Sequence, residues 1–132
     1  MSDKIKLNVA VLTISDSRIK ETDKSGDLLK KLIGESGHLV VEQSIVKDCI
    51  YSIRKTVSSW IENKTIDVVI STGGTGVTGR DGTPEAVEVL FDKKIDGFGE
   101  IFRYISYKKI KTSTVQSRAL AGVANSTYIF CL

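Results

Sequence analysis

Two stretches of this chain, LNVAVLTIS (Leu7 to Ser15) and IDVVIST (Ile66 to Thr72), are almost unbroken runs of aliphatic and β-branched residues. A strand with one face in water alternates apolar and polar side chains, so a run without alternation belongs to a strand covered on both faces. Helical segments lie between these strands. After the polar loop DSRIKETDKSGD, Ser25-Gly26-Asp27 leads into LLKKLIGESG. There Leu28, Leu29, Leu32 and Ile33 form one helical face, and Gly34 or Gly37 can end the helix. LVVEQSIV (Leu39 to Val46) reads as a second strand, and Ile50, Ile53, Val57, Trp60 and Ile61 follow the helical period after it. Thr83-Pro84 opens another helix, with Thr83 as its expected cap and Pro84 in the first turn. Phe98, Ile101, Phe102 and Ile105 stripe a further helix in GFGEIFRYISYKK, and STYIFCL is the last strand. That stripe admits two readings, core packing and a contact between subunits. Strands alternating with helices of this length predict an α/β domain with a mainly parallel sheet.

Bulk properties narrow the function. The 132 residues suffice for one domain and contain no internal repeat or linker. No apolar stretch approaches the roughly 20 residues of a membrane helix, and the N-terminus has no signal-peptide apolar region. The expected location is the cytoplasm. A net charge of +3 suits a phosphate-bearing ligand but is too small and dispersed for nucleic acid. Cys49 and Cys131 fit neither a disulfide framework nor a zinc motif and read as two reduced thiols. His38 is the only histidine and sits in a turn feeding a strand, which leaves Ser-His-Asp catalysis and His-ligated zinc without a candidate.

The chemistry concentrates in STGGTGVTGRDGTPEA. In a parallel sheet the ligand lies at the carboxyl ends of the strands, and TGGTG (Thr72 to Gly76) is a loop at that edge. Glycines open backbone conformations closed to other residues and let a ligand approach the N–H groups, so such a run can cradle an anion. No Gly-Lys-Ser/Thr follows, which excludes a P-loop, and the third glycine is misplaced for a dinucleotide fingerprint. A tight turn serving only the chain is the competing reading. Asp81 bears on the choice, because a carboxylate beside an anion cradle repels phosphate unless a divalent cation lies between them. A nucleotide or phosphate ester with Mg²⁺ satisfies both features. Asp48, after the second strand, can supply a second carboxylate, although either aspartate can equally cap the helix after it.

VAVLTISDSR, DKSGD, STGGTGVTGRDGTPEA, GFGEIFR and SRALAGVAN together resemble the MoaB/MogA family of molybdenum cofactor biosynthesis proteins, in the family's order from about Leu7 to Leu132. The resemblance implies a three-layer α/β/α sandwich that binds molybdopterin and assembles as a homotrimer or homohexamer. Active members adenylate the terminal phosphate of the pterin with Mg-ATP, which prepares it for molybdate insertion. It makes Thr72, Gly73, Gly74, Thr75 and Gly76 the phosphate and pterin loop, and places Asp48 and Asp81 at the family's two catalytic, Mg²⁺-holding carboxylates. Ser117 and Arg118 match a segment lining the substrate site. Ser15 and Asp16, with Asp23, Ser25 and Gly26, match the first-strand loop near the pocket. A molybdate-inserting protein is a further partner compatible with this role, while nucleic acid and membrane are not expected. Two rival functions stand beside adenylation: a non-catalytic molybdopterin carrier, and a general nucleotide-binding regulatory domain. The family continues past the last strand with a Pro-Gly-rich loop and at least one more helix, so a chain shortened at Leu132 is expected.

Overall fold

The computed structural model describes residues 4–132. Along it run β1 (Asn8–Ile14), α1 (Lys24–Glu35), β2 (Leu39–Val46), α2 (Ile50–Glu62), β3 (Val68–Thr72) and α3 (Thr83–Val87). They are followed by β4 (Lys93–Lys94), α4 (Asp96–Ile110), β5 (Leu120–Ala124) and β6 (Thr127–Cys131). The strands form one sheet in the order β2-β1-β3-β6-β5-β4. β1 pairs in parallel with β2 and β3, and β3 with β6; β5 pairs antiparallel with both β6 and β4. The sheet is mostly parallel, as its doubly apolar runs require.

Every residue from Val9 to Ile14 is at most 5% exposed, because successive side chains of β1 enter different cores. Ala10, Leu12 and Ile14 meet Ile53, Val57 and Trp60 of α2 and Ala86 and Val87 of α3. Val9 and Val11 face the other way, onto Ile33 and Leu29 of α1. β6 repeats the division. Ile129 and Cys131 join the α2 side, while Phe130 turns its ring edge-on to Phe98 of α4 at 5.2 Å. The layers are therefore α1 and α4, the sheet, and α2 and α3.

Four details differ from the sequence expectation. Thr83 is not the cap of α3 but its first residue. Its hydroxyl turns back to donate to the Gly73 carbonyl at 2.9 Å, while Gly82 holds the cap position. α1 begins at Lys24 and is capped by Asp23, whose carboxylate accepts from the Gly26 N–H at 2.9 Å and the Thr13 hydroxyl at 2.7 Å. The helical faces are only partly covered: Leu28 and Leu32 of α1 and Ile101 and Ile105 of α4 are exposed. Core packing thus accounts for Phe98 and Phe102 but not for the isoleucines. Finally, STYIFCL is the second arm of a β5–β6 hairpin, turned by Asn125 and Ser126 with φ of 51° and 66°.

Candidate active site

Parallel pairing brings the carboxyl ends of β2, β1 and β3 to one edge, so the loops that leave them are neighbours. Ser15 continues β1 by donating its N–H to the Val46 carbonyl at 2.9 Å. At the end of β3, Gly73 and Gly74 adopt φ of 105° and 73°. A Cβ at Gly73 would strike the Ile14 carbonyl, and one at Gly74 would lie 3.0 Å from Asp48 Oδ2. Both positions need glycine for conformation and for space. Gly73 donates its N–H to the Leu132 carbonyl at 2.9 Å. The N–H groups of Gly74 and Thr75 have no acceptor among the described residues.

The expected carboxylates flank this loop in different electrostatic states. Asp48 Oδ1 accepts the Gly82 N–H at 3.0 Å, and its Oδ2 has no donor among the described residues. Partial burial holds the Asp48 carboxyl above the usual range; the Gly82 bond opposes this, and the charges of Asp81 and Asp16 add to it. Asp81 Oδ2 accepts from the Thr78 hydroxyl at 2.8 Å and the Thr78 N–H at 2.9 Å. Those two bonds lower the pKa of Asp81, which stays ionised. Its Oδ1 accepts no hydrogen bond among the described residues. Asp16 accepts the Asp48 N–H at 3.1 Å and pairs with Arg80 at 2.6 Å, and Arg80 is the main cause that lowers its pKa.

Ser15, Ser25, Thr72 and Gly73 share a small hollow of about 130 Å³ with Arg18 and the buried Asp23. Asp81 and Arg118 line a second, open hollow of about 440 Å³ beside Thr78 and Glu85. Ser117 lies away from both, in a cleft of about 360 Å³ with Arg103 and Lys94. Arg118 borders that cleft too, but its guanidinium is occupied: Nε donates to Gly76 O at 2.7 Å, Nη2 to Asp81 O at 2.8 Å, and Nη1 to Glu85 Oε2 at 2.6 Å. Thr78, Arg80, Glu85 and Arg18 escaped the sequence reading. The two arginines carried a visible signal, since each is a cation in a loop that also holds expected site residues.

A hard divalent ion takes one or two carboxylates and fills its other positions with water and phosphate, and Asp48 and Asp81 are the residues here that could hold one. Asp48 Oδ2 and the second Asp81 oxygen are the donors such an ion would use.

The family described as a probable molybdopterin binding domain matches residues 10–132, which include all three loops. The chain belongs to the MoaB/MogA family. It is 50% identical over 128 residues to molybdenum cofactor biosynthesis protein B of Escherichia coli (strain K12), covering 97% of this chain and 75% of that protein. A crystal structure of molybdenum cofactor biosynthesis protein B superimposes with a TM-score of 0.94 at 45% identity, over 99% of this chain and 82% of that one. The tungsten cofactor synthesizing protein MoaB from Pyrococcus furiosus gives a TM-score of 0.86 at 33% identity, over 98% and 83%. Membership places this MoaB/MogA protein in molybdenum cofactor biosynthesis. Among its described residues, no helix is long and apolar enough to cross a membrane.

Proposed function

We propose that this MoaB/MogA protein binds molybdopterin and transfers the adenylyl group of Mg-ATP to its terminal phosphate, releasing pyrophosphate. One observation carries the reading. A glycine loop with two N–H groups lacking an acceptor among the described residues lies at the carboxyl edge of the sheet, between carboxylates that each have an oxygen without a donor there. The N–H groups of Gly74 and Thr75 would donate to phosphate oxygens, and the hydroxyls of Ser15, Ser25 and Thr72 would line the adjoining hollow. An oxygen of the pterin phosphate attacks the α-phosphorus of ATP and forms a new P–O–P link. The bond to the β-phosphate breaks, and its electron pair leaves with pyrophosphate. A phosphate monoester is already ionised at neutral pH, so no histidine base is needed, in agreement with His38 lying against the Leu7 N–H at 3.1 Å. Asp48 and Asp81 would hold Mg²⁺, which neutralises charge on the phosphate oxygens when bound. The protein's contribution is positioning.

The same reading makes the protein a cytoplasmic homo-oligomer, a trimer or hexamer. Support comes from the exposed apolar surface on the α1 and α4 side. Ile101 is 60% exposed and Ile105 55%, and a bare hollow of about 430 Å³ there is floored by Leu7, Val68, Tyr128 and Phe130. A pterin carrier without turnover is the second reading. It draws on Asp81, whose bonds to Thr78 also staple the loop. Pyrophosphate release from Mg-ATP, with and without molybdopterin, separates the two. Release that depends on the pterin and disappears in Asp81→Asn supports adenylation. Tight pterin binding with no release supports the carrier.

A further inference from the structure

The carbonyl groups of the glycine loop are held by two residues. Thr83 takes two of them, Gly73 O through its hydroxyl at 2.9 Å and Gly74 O through its N–H at 3.1 Å. Arg118 takes three: Thr75 O through its N–H at 2.8 Å, Gly76 O through Nε at 2.7 Å and Asp81 O through Nη2 at 2.8 Å. In a planar trans peptide the C=O of one residue and the N–H of the next point in opposite directions. Pinning the carbonyls of Gly73 and Gly74 therefore turns the N–H groups of Gly74 and Thr75 away from Thr83. Pinning Asp81 O aims the next N–H, that of Gly82, at Asp48 Oδ1 3.0 Å away. The guanidinium is itself gripped by Glu85, at 2.6 Å and 3.2 Å. Four of its five N–H donors are used within the protein.

We propose that Arg118 and Glu85 are positioning residues that set the phosphate cradle and the Asp48 carboxylate from behind, without touching substrate. Glu85 neutralises the guanidinium and locks its fork. Thr83 fixes the two peptide planes that present the N–H groups of Gly74 and Thr75, while Arg118 fixes the planes that follow them and the plane that carries the donor to Asp48. The proposal rests on reading the loop as a phosphate cradle.

Substitution of Glu85 distinguishes this role from a direct contact, because the two predict opposite signs. An Arg118 that bound phosphate would gain free charge in Glu85→Ala, and Mg-ATP would bind more tightly. An Arg118 that positions the loop would lose its anchor, and the Kd for Mg-ATP, measured by calorimetry, would rise about tenfold. Hydrogen exchange, followed by mass spectrometry without ligand, supplies a readout independent of binding. The hydrogen-bonded amides of Thr78, Asp81 and Gly82 should exchange about tenfold faster in Glu85→Ala while those of β1 and β3 keep their protection. Glu85→Gln retains an acceptor and should recover part of both effects. Tighter or unchanged Mg-ATP binding, or unchanged exchange in the loop, overturns the proposal; so does exchange that rises equally throughout the protein, the mark of a merely structural role. If the wild-type protein binds no Mg-ATP, the adenylation reading fails, and the exchange measurement still decides whether the clamp sets the loop.

Discussion

Asp48 and Asp81 are both carboxylates at one edge, yet folding treats them oppositely. Burial raises the pKa of Asp48, so its contribution to stability is full below the unfolded value near 3.8 and is lost as the pH climbs through the raised value. Asp81 behaves in reverse: the Thr78 bonds lower its pKa, and its contribution is present above 3.8 and lost as the pH falls through the lowered value. Asp48→Asn should therefore raise Tm at neutral pH, since the amide oxygen still accepts from Gly82, while adenylyl transfer drops by about 10²-fold or more. A lower Tm in thermal melts would refute the assignment of Asp48 as a strained site residue. The cysteines give a second contrast. Bonds from Ser52 lower the pKa of the exposed Cys49 thiol, whereas burial pushes Cys131 up to about 11. With iodoacetamide at neutral pH, peptide mapping should find Cys49 modified and Cys131 untouched until denaturant is added. At this scale, glycines and carboxylates were legible because parallel strands force their loops to one edge. The hold of Arg118 on Asp81 was not, since it joins residues brought together only by the fold.

Among the elements, β1 and β3 were readable because a strand covered on both faces cannot hide its composition. The β5–β6 hairpin was not. Its two turn residues, Asn125 and Ser126, both take positive φ, but the pair lacks the glycine that usually marks such a turn. Asn125 instead anchors the turn through Ile61 O at 2.9 Å and Asp92 Oδ2 at 2.8 Å. Ser126→Gly should stabilise the protein by about 0.5–1 kcal/mol in urea denaturation, because glycine accepts the left-handed region at no steric cost. A destabilisation would mean that the serine makes a contact of greater worth. Helical periodicity picked out residues of α1 and α4 that meet the sheet, Leu29, Ile33 and Phe98, but could not say which others of each stripe would stay uncovered. Periodicity reports direction, whereas coverage depends on how far the neighbouring layer extends.

For the molecule as a whole, the uncovered isoleucines of α4 carry the prediction. The wild-type protein should sediment as a trimer or hexamer. Ile101→Asp with Ile105→Asp should sediment as a smaller species with an unchanged far-UV circular dichroism spectrum; a wild type that sediments as a monomer ends the idea. The mainly parallel α/β class was legible from the pattern of elements and the three layers from the family resemblance; the order of strands was not, because periodicity carries no information about neighbours. That order has a consequence for synthesis. β6 lies between β3 and β5, and Gly73 is tied to the carbonyl of Leu132. While the chain emerges from the ribosome, β1, β2 and β3 can pair, but β3 keeps a bare edge until residues 127–132 appear. The nascent protein thus carries an open apolar strand from the completion of β3 until β6 has been made, and this is where chaperones would be expected to act. The Gly73 N–H gains its acceptor only when residue 132 arrives, after the loop's other partners, Thr83 and Arg118, have been made.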